Sequence, residues 1–234
     1  DRRLGRTLRP TVAAAVRFAL ARPERVLVLM GGEEFWSNGI HLNVIEAADS
    51  PADESWRNIQ AIDDVTRALI EATDKLVIAA LQGNAGAGGA FMALAADRIW
   101  AHGAVVLNPH YKNMGNLYGS EYWTYLLPRR MPPDSAAAVM RARLPISADD
   151  ASRLGLVDDV FGDGRDDFAA QVRTRARSLA ESPEIGDLIA AKRRRRRDDE
   201  AARPLAAYRA DELAQMQRNF YGFDTSYHVA RSNF

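Results

Sequence analysis

One stretch limits the architecture more than any other: Lys75 to Asp97, "KLVIAALQGNAGAGGAFMALAAD". Its first part is a short apolar run bounded by turn residues, the pattern of a strand buried on both faces. The small residues that follow form a tight turn, and "GAFMALAAD" continues as a buried helix. A strand that passes through glycines directly into a helix is part of a βαβ crossover, which implies a parallel sheet. The surrounding sequence repeats the theme. "VLVLM" at Val26 to Met30, closed by Gly31 and Gly32, reads as another buried strand. The stretch 56–74 carries Ile59, Ile62, Val65, Leu69 and Ile70 on one stripe and predicts an amphipathic helix. Further strands are expected at 97–101 ("DRIWA") and 104–108 ("AVVLN"). A helix is expected over 11–22, with Val12, Val16 and Ala19 on one face and Pro23 at its end. The segment 33–54 reads as a loop.

Helices dominate from Tyr118 onward. Ser147 with Asp150 three residues later has the pattern of a capping box, and Gly155 stands where a helix C′ glycine would. "LVDDVF" predicts a short edge strand. Helices are expected over 167–182 and 184–221, the second broken near Pro204. The run "AKRRRRRDDE" at 191–200 reads as a solvated helix face whose cations pair with acids one turn on.

The glycines of the 83–89 loop do not make a nucleotide site. A P-loop requires Lys and Ser/Thr after its last glycine, whereas Ala90 and Phe91 follow Gly89 here. Gly83, Gly86, Gly88 and Gly89 also lack the G-x-G-x-x-G spacing of a dinucleotide loop. Two readings remain open. The glycines permit tight turns and close packing, or they bare backbone N–H groups that stabilise an oxyanion. A second donor for an oxyanion could come from "WSNGIHL", where Asn38-Gly39 marks a turn after the first strand.

Composition removes several classes of function. Thirty-one basic and 31 acidic residues give a formal net charge of zero, and there is no cysteine. A thiolate nucleophile, a disulfide framework and a Cys-held metal are excluded. Neither a nucleic acid nor a membrane surface is an expected partner. His41, His102, His110 and His228 have no metal-ligand spacing, so no metal is expected. No apolar run is long enough for a membrane helix and no signal-peptide core is visible, which gives an expected cytoplasmic location. Because the chain begins at Asp1 rather than Met, it is expected to be part of a longer polypeptide.

"SNGIHL" together with "GNAGAGGAFMALAAD" resembles the crotonase (enoyl-CoA hydratase/isomerase) superfamily, over about residues 26 to 160. The resemblance implies an α/β fold with a crotonase-like ββα spiral core over 1–160 and a helical C-terminal region over 161–234. It implies a coenzyme A thioester whose carbonyl oxygen lies between two backbone N–H groups, by position those of Ile40 and Gly88. Gly39, Gly89, Phe91 and Lys112 would line the substrate, with Lys112 and nearby arginines meeting the CoA phosphates.

The departures matter as much. One hydratase glutamate falls three residues after the oxyanion glycine, where this chain has Phe91. The place of the other is taken by His110, with Tyr111 beside it. Adding water to an enoyl group needs an acid and a base at those points, so ordinary hydratase activity is not expected.

Three longer stretches, "FWSNGIHLNVIEAADSPADESWRNIQAIDD", "LNPHYKNMGNLYGSEYWTYLLPRR" and "FYGFDTSYHVAR", look like the C-terminal domain of the HypX/HoxX hydrogenase-maturation family. This narrower resemblance implies decarbonylation of formyl-CoA to carbon monoxide and CoA, the CO becoming a [NiFe]-hydrogenase ligand. It also implies an upstream formyltransferase-like domain, through which tetrahydrofolate would enter, and hydrogenase-maturation partners. For the proton transfers Tyr111 and Glu121 are preferred, with His110 as the alternative. Their division into acid and base is open. A carboxylate among Tyr118, Tyr122 and Trp123 would be desolvated, which suits proton transfer near neutrality. Those aromatic residues themselves read as packing. Other readings are a different acyl-CoA enzyme (thioesterase, decarboxylase or isomerase), a non-catalytic CoA-binding or docking domain, and, weakest, an RNA-binding relative. Oligomeric state is open.

Overall fold

A computed structural model describes residues 12–233. After a helix over residues 12–20 (α1), the chain enters β1 (Val26–Met30), the strand expected there. Val16 of α1 joins the core, whereas Val12 is exposed. The segment expected to be a loop holds a strand, β2 (Phe35–Ser37), and a short helix, α2 (Leu42–Glu46). The next helix, α3 (Pro51–Glu71), starts earlier than its apolar stripe suggests. Ser50 caps it by accepting the Asp53 N–H at 3.4 Å, Pro51 opens it, and Asp53 and Glu54 complement its N-terminus.

The same unit then recurs. Strand β3 (Leu76–Leu81) leads to a strand hidden within the glycine loop, β4 (Asn84–Gly86), and to α4 (Gly88–Leu94). A third pair follows, β5 (Arg98–Ala101) and β6 (Val106–Asn108). Each pair contributes one strand to each of two sheets. The first sheet has the order β1-β3-β5-β8 and is parallel, with β8 (Asp159–Val160) as the expected edge strand. The second has the order β2-β4-β6-β7 and is parallel except where β7 (Ile146–Ser147) pairs antiparallel to β6. This is a ββα spiral.

All six residues of β3 are buried. Its pleat divides them between the two faces of the sheet, with Leu76 packed on Ile185 and Ile189. Val77, Ala79 and Leu81 face α3 and α4, while Ile78 and Ala80 face Phe168 and Val172 of α8 (Arg165–Glu181). Each large aliphatic side chain withdrawn from water in this way contributes roughly 1.5–3 kcal/mol.

Along the chain between β6 and α8 come α5 (Trp123–Leu126), a 3₁₀ turn (Leu127–Arg129), α6 (Pro133–Arg141) and α7 (Ala148–Arg153). Ser147 caps α7 in both directions, accepting from the Asp150 N–H at 3.1 Å and donating to its carboxylate at 2.7 Å. Gly155, with φ +81°, ends that helix as expected, and the Leu156 N–H returns to Ala151 O.

The long C-terminal helix divides into α9 (Ile185–Ala202) and α10 (Leu205–Tyr221), with Pro204 at the break. Helix α10 packs on α3, and α11 (Ser226–Ser232) folds back so that Tyr227 bonds Ser55 at 2.7 Å and meets the Phe220 ring at a tilt. The Ser226–Tyr227 peptide lies directly on Gly115, where any Cβ would overlap it.

The arginine run is not a wholly solvated face. Lys192 and Arg196 are buried, one helical turn apart. Lys192 Nζ donates to Asp97 at 2.5 Å and to the Lys75 carbonyl, while Arg196 reaches the Tyr125 hydroxyl and Glu200.

Candidate active site

The two glycine turns meet. They follow β2 and β4, not the apolar strands β1 and β3 as the sequence suggested. Because β2 and β4 pair in parallel, both turns leave from the same edge of the second sheet. Gly39 has φ +80°, and its N–H donates to Ser37 Oγ at 3.2 Å. A Cβ on Gly39 would lie 3.1 Å from Gly88 N. Gly89, in the first turn of α4, lies hard against β2, where a Cβ would come within 2.7 Å of the Ser37 side chain and overlap its carbonyl. Between them Ala87 is held at φ 45°, ψ −127°, a conformation costly for any residue with a Cβ. Among the described residues no protein acceptor takes the N–H of Ile40 or of Gly88.

Glu121 reaches this junction from the irregular segment before α5. Its carboxyl lies on Gly88, where a Cβ would be 2.5 Å from Glu121 Cδ. The Tyr111 hydroxyl donates to Glu121 Oε2 at 2.6 Å, and the Ser120 N–H donates to the same oxygen at 3.2 Å. The Tyr111 ring is fixed on both faces. Phe91 stacks on it at 5.1 Å and 17°, and Gly119 lies flat beneath it, with a Cβ there only 2.6 Å from Tyr111 Cζ. Tyr111, Phe91 and Glu121 are all buried.

Burial, and then the nearby Asp63 carboxylate, raise the Glu121 pKa to about 8. The expected desolvation is therefore present, although Tyr111 and Asp63 shape it more directly than Tyr118. Burial and then the negative charge of Glu121 push the Tyr111 phenol well above its ordinary value. The Glu121 carboxyl can thus gain or lose a proton not far above neutrality, while Tyr111 stays protonated as a fixed donor to it.

Two further buried acids, absent from the sequence reading, surround Glu121. Asp63 of α3 accepts the Glu121 N–H and the Ser120 hydroxyl, each at 2.8 Å. Glu212 of α10 accepts the N–H groups of Tyr122 and Thr124 at 2.9 and 2.8 Å. A signal for both exists in the helical phase. Asp63 falls in line with Ile59, Thr66 and Ile70, and Glu212 with Leu205, Met216 and Phe220, all partly or wholly apolar and buried.

His110 is buried beside Tyr111, but neither ring nitrogen makes a hydrogen bond among the described residues. Burial depresses its pKa. Lys112 is half-buried in the turn that follows. No group of three or more His, Asp or Glu among the described residues is arranged to hold a metal ion. None of the described helices is long and apolar enough to cross a membrane.

A separate cleft of about 290 Å³ opens at the far end of α4, lined by Arg129, Arg130, Lys192 and Arg196 together with Asp97 and Asp199. Its cations are already engaged by carboxylates: Arg129 by Asp199, Arg130 by Asp158, Lys192 by Asp97 and Arg196 by Glu200.

A profile of the enoyl-CoA hydratase/isomerase family matches residues 14–225. The chain is 56% identical to the hydrogenase maturation factor HoxX of Bradyrhizobium diazoefficiens over 94% of its own length but only 39% of that protein's. The crystal structure of HypX from Aquifex aeolicus in complex with tetrahydrofolic acid superposes with a TM-score of 0.90 at 48% identity. That match covers 94% of this chain and 39% of that one. An enoyl-CoA hydratase from Bacillus halodurans shares the fold at 18% identity, with a TM-score of 0.81, covering all of this chain and 90% of that one.

Proposed function

From the premise that the chain belongs to the enoyl-CoA hydratase/isomerase family, we propose that it is the decarbonylating module of a hydrogenase-maturation factor, converting formyl-CoA to carbon monoxide and CoA. The observation that carries this reading is the seat of Glu121. It is a buried carboxyl at the junction of the two glycine turns, bonded to Tyr111, in a chain whose hydratase acid position is Phe91.

The N–H groups of Ile40 and Gly88 hold the thioester oxygen and polarise the formyl C–H bond. One such donor is worth about 2.7–4 kcal/mol in a comparable oxyanion hole. Glu121, as the carboxylate, takes the formyl proton while the C–S electron pair leaves with sulfur, releasing CO. The protonated Glu121 then returns that proton to the thiolate, so atoms and charge balance and no water is consumed. Tyr111 donates to the Glu121 carboxylate throughout and fixes its orientation. Gly39 and Gly89 shape the two turns, Phe91 supports Tyr111, Lys112 contacts CoA, and His110 is the alternative acid or base.

The chain spans about two-fifths of the length of HoxX and HypX. HypX binds tetrahydrofolic acid, which supports an upstream formyltransferase-like domain that makes formyl-CoA for this one. A cytoplasmic place beside the hydrogenase-maturation machinery is part of the same proposal.

The test incubates the protein with formyl-CoA and traps CO with deoxyhaemoglobin. CO stoichiometric with free CoA is expected. Formate and CoA without CO would make the domain a thioesterase, and no turnover would leave a CoA-binding role.

A further inference from the structure

We propose that Asp63 and Glu212 are positioning residues, two buried carboxylates from different helices that clamp the backbone around Glu121 and hold its carboxyl on Gly88. This inference rests on the catalytic role proposed for Glu121.

The segment they grip is intrinsically unfavourable. Gly119, Glu121 and Tyr122 have φ of +91°, +61° and +59°. Two consecutive left-handed residues with large side chains cost energy that their surroundings must offset. Without that offset the turn would relax and Glu121 would swing away from the junction. The offset comes from opposite sides. From α3, Asp63 takes the Glu121 N–H and the Ser120 hydroxyl. From α10, Glu212 takes the Tyr122 and Thr124 N–H groups and the Thr124 hydroxyl. Four of the five residues from Ser120 to Thr124 are thus fixed by two acids, both fully buried.

Neither acid is placed as an ordinary structural ion pair. Glu212 has no basic partner among the described residues, and all its hydrogen bonds go to the 122–124 turn. Asp63 has Arg209 Nε only at 3.8 Å, and Arg209 is itself engaged by Asp64 at 2.6 Å. The groups facing Asp63 are Glu121, Ser120 and Arg209, with Asp64, Tyr111, Tyr122 and Glu212 behind them. Buried carboxylates with so little cationic compensation are costly. Their bonds to strained backbone N–H groups are what keeps them in place.

The experiment compares Asp63→Ala, Asp63→Asn and Glu212→Ala with the parent. It reads kcat and KM for formyl-CoA, the pH profile, and amide hydrogen exchange at Glu121 and Tyr122. Asp63→Ala and Glu212→Ala are expected to lower kcat by about 100-fold, as misplacement of a catalytic group by about 1 Å can, with KM unchanged within about twofold. Exchange should rise selectively at Glu121 in the first and at Tyr122 in the second, with β3 amides still protected. Asp63→Asn keeps an acceptor oxygen and should recover most of kcat. It removes a negative charge beside Glu121, so its acid limb should move to lower pH. Parental kcat and parental exchange in both Ala variants would overturn the clamp. If an Ala variant unfolds, Asp63→Asn decides: a displaced limb with retained rate supports the proposal, and an unmoved limb overturns it. A parent that releases no CO defeats the proposed reaction instead, and the exchange pattern then judges the clamp by itself.

Discussion

The carboxyl of Glu121 occupies the space in which any side chain on residue 88 would begin. Gly88 → Ala should therefore expel Glu121 rather than merely crowd it. Loss of CO release and destabilisation of about 1–3 kcal/mol are expected. Combining it with Glu121→Ala should restore much of the stability, measured by denaturant melts, and none of the activity. Additive losses in the double variant would show that the two groups do not share this space.

The pH dependence of the rate follows from the Glu121 pKa of about 8. A base must be ionised, so kcat/KM should climb with pH and level above about pH 8. The hydrogen bond from Tyr111 favours the charged carboxylate. Tyr111→Phe should therefore displace the limb to higher pH as well as slow the reaction at neutrality. A limb that stays in place would detach Tyr111 from Glu121, and Glu121→Gln with parental kcat/KM would remove the base altogether.

Stability should follow the opposite course. Burial raises Asp63 to about 6, Glu212 to about 7 and Glu121 to about 8, each above its unfolded value. The folded chain then binds more protons than the unfolded one between about pH 4 and 8, so stability falls as pH rises through that window. Glu121→Gln should lessen the fall, with its melting temperature higher than the parent's at pH 8 and close to it at pH 4. Identical slopes for the two proteins would contradict the raised pKa.

The Lys192–Asp97 pair is the strongest test of the buried basic face. Asp97 also accepts the Val77 N–H at 2.8 Å, tying α9 to β3. Removing either charge leaves the other buried, at a cost of about 3–5 kcal/mol. Asp97→Asn and Lys192→Met should each destabilise by that order, and the double variant by clearly less than their sum. A solvated pair would show changes of only a few tenths.

Ala87 offers a gain. Glycine adopts its backbone conformation without the Cβ penalty, so Ala87→Gly should stabilise the fold by about 1 kcal/mol after the entropic cost of glycine. A lower melting temperature would mean that the Ala87 methyl contributes more packing than its backbone costs.

The apolar strands β1, β3 and β5 were legible in sequence because they run side by side in a parallel sheet, β3 wholly buried and β1 half-buried at its edge. Of the second sheet only β6 was, because β2, β4 and β7 are two or three residues long and carry Asn, Ser and Trp in place of an apolar run. The loop glycines pointed to the right turns, but which strands precede those turns depended on that hidden sheet. Tyr111 and Glu121 could be named from the segment that holds them. Their hydrogen bond could not, since it depends on the left-handed turn at Glu121 and Tyr122. The acids that grip this turn are inconspicuous in sequence because Asp63 adjoins the exposed Asp64, and a pair of aspartates on a helix looks like a solvent face. Lys192 and Arg196 were concealed in the same way within a run of exposed arginines. In each case the position repeats with the apolar stripe, and helical phase is the more informative signal than residue type.

The contact of the Ser226–Tyr227 peptide with Gly115 gives the last helix a consequence beyond packing. Gly115 belongs to the turn just after Tyr111, so the Tyr111 phenol is braced by residues more than a hundred positions downstream. A stop codon ahead of Ser226 would spare both sheets, both glycine turns and every residue proposed to touch substrate. It would still remove the brace behind the phenol. Shortened variants of this domain should therefore be designed from the position of α11, not from the limits of the sheets.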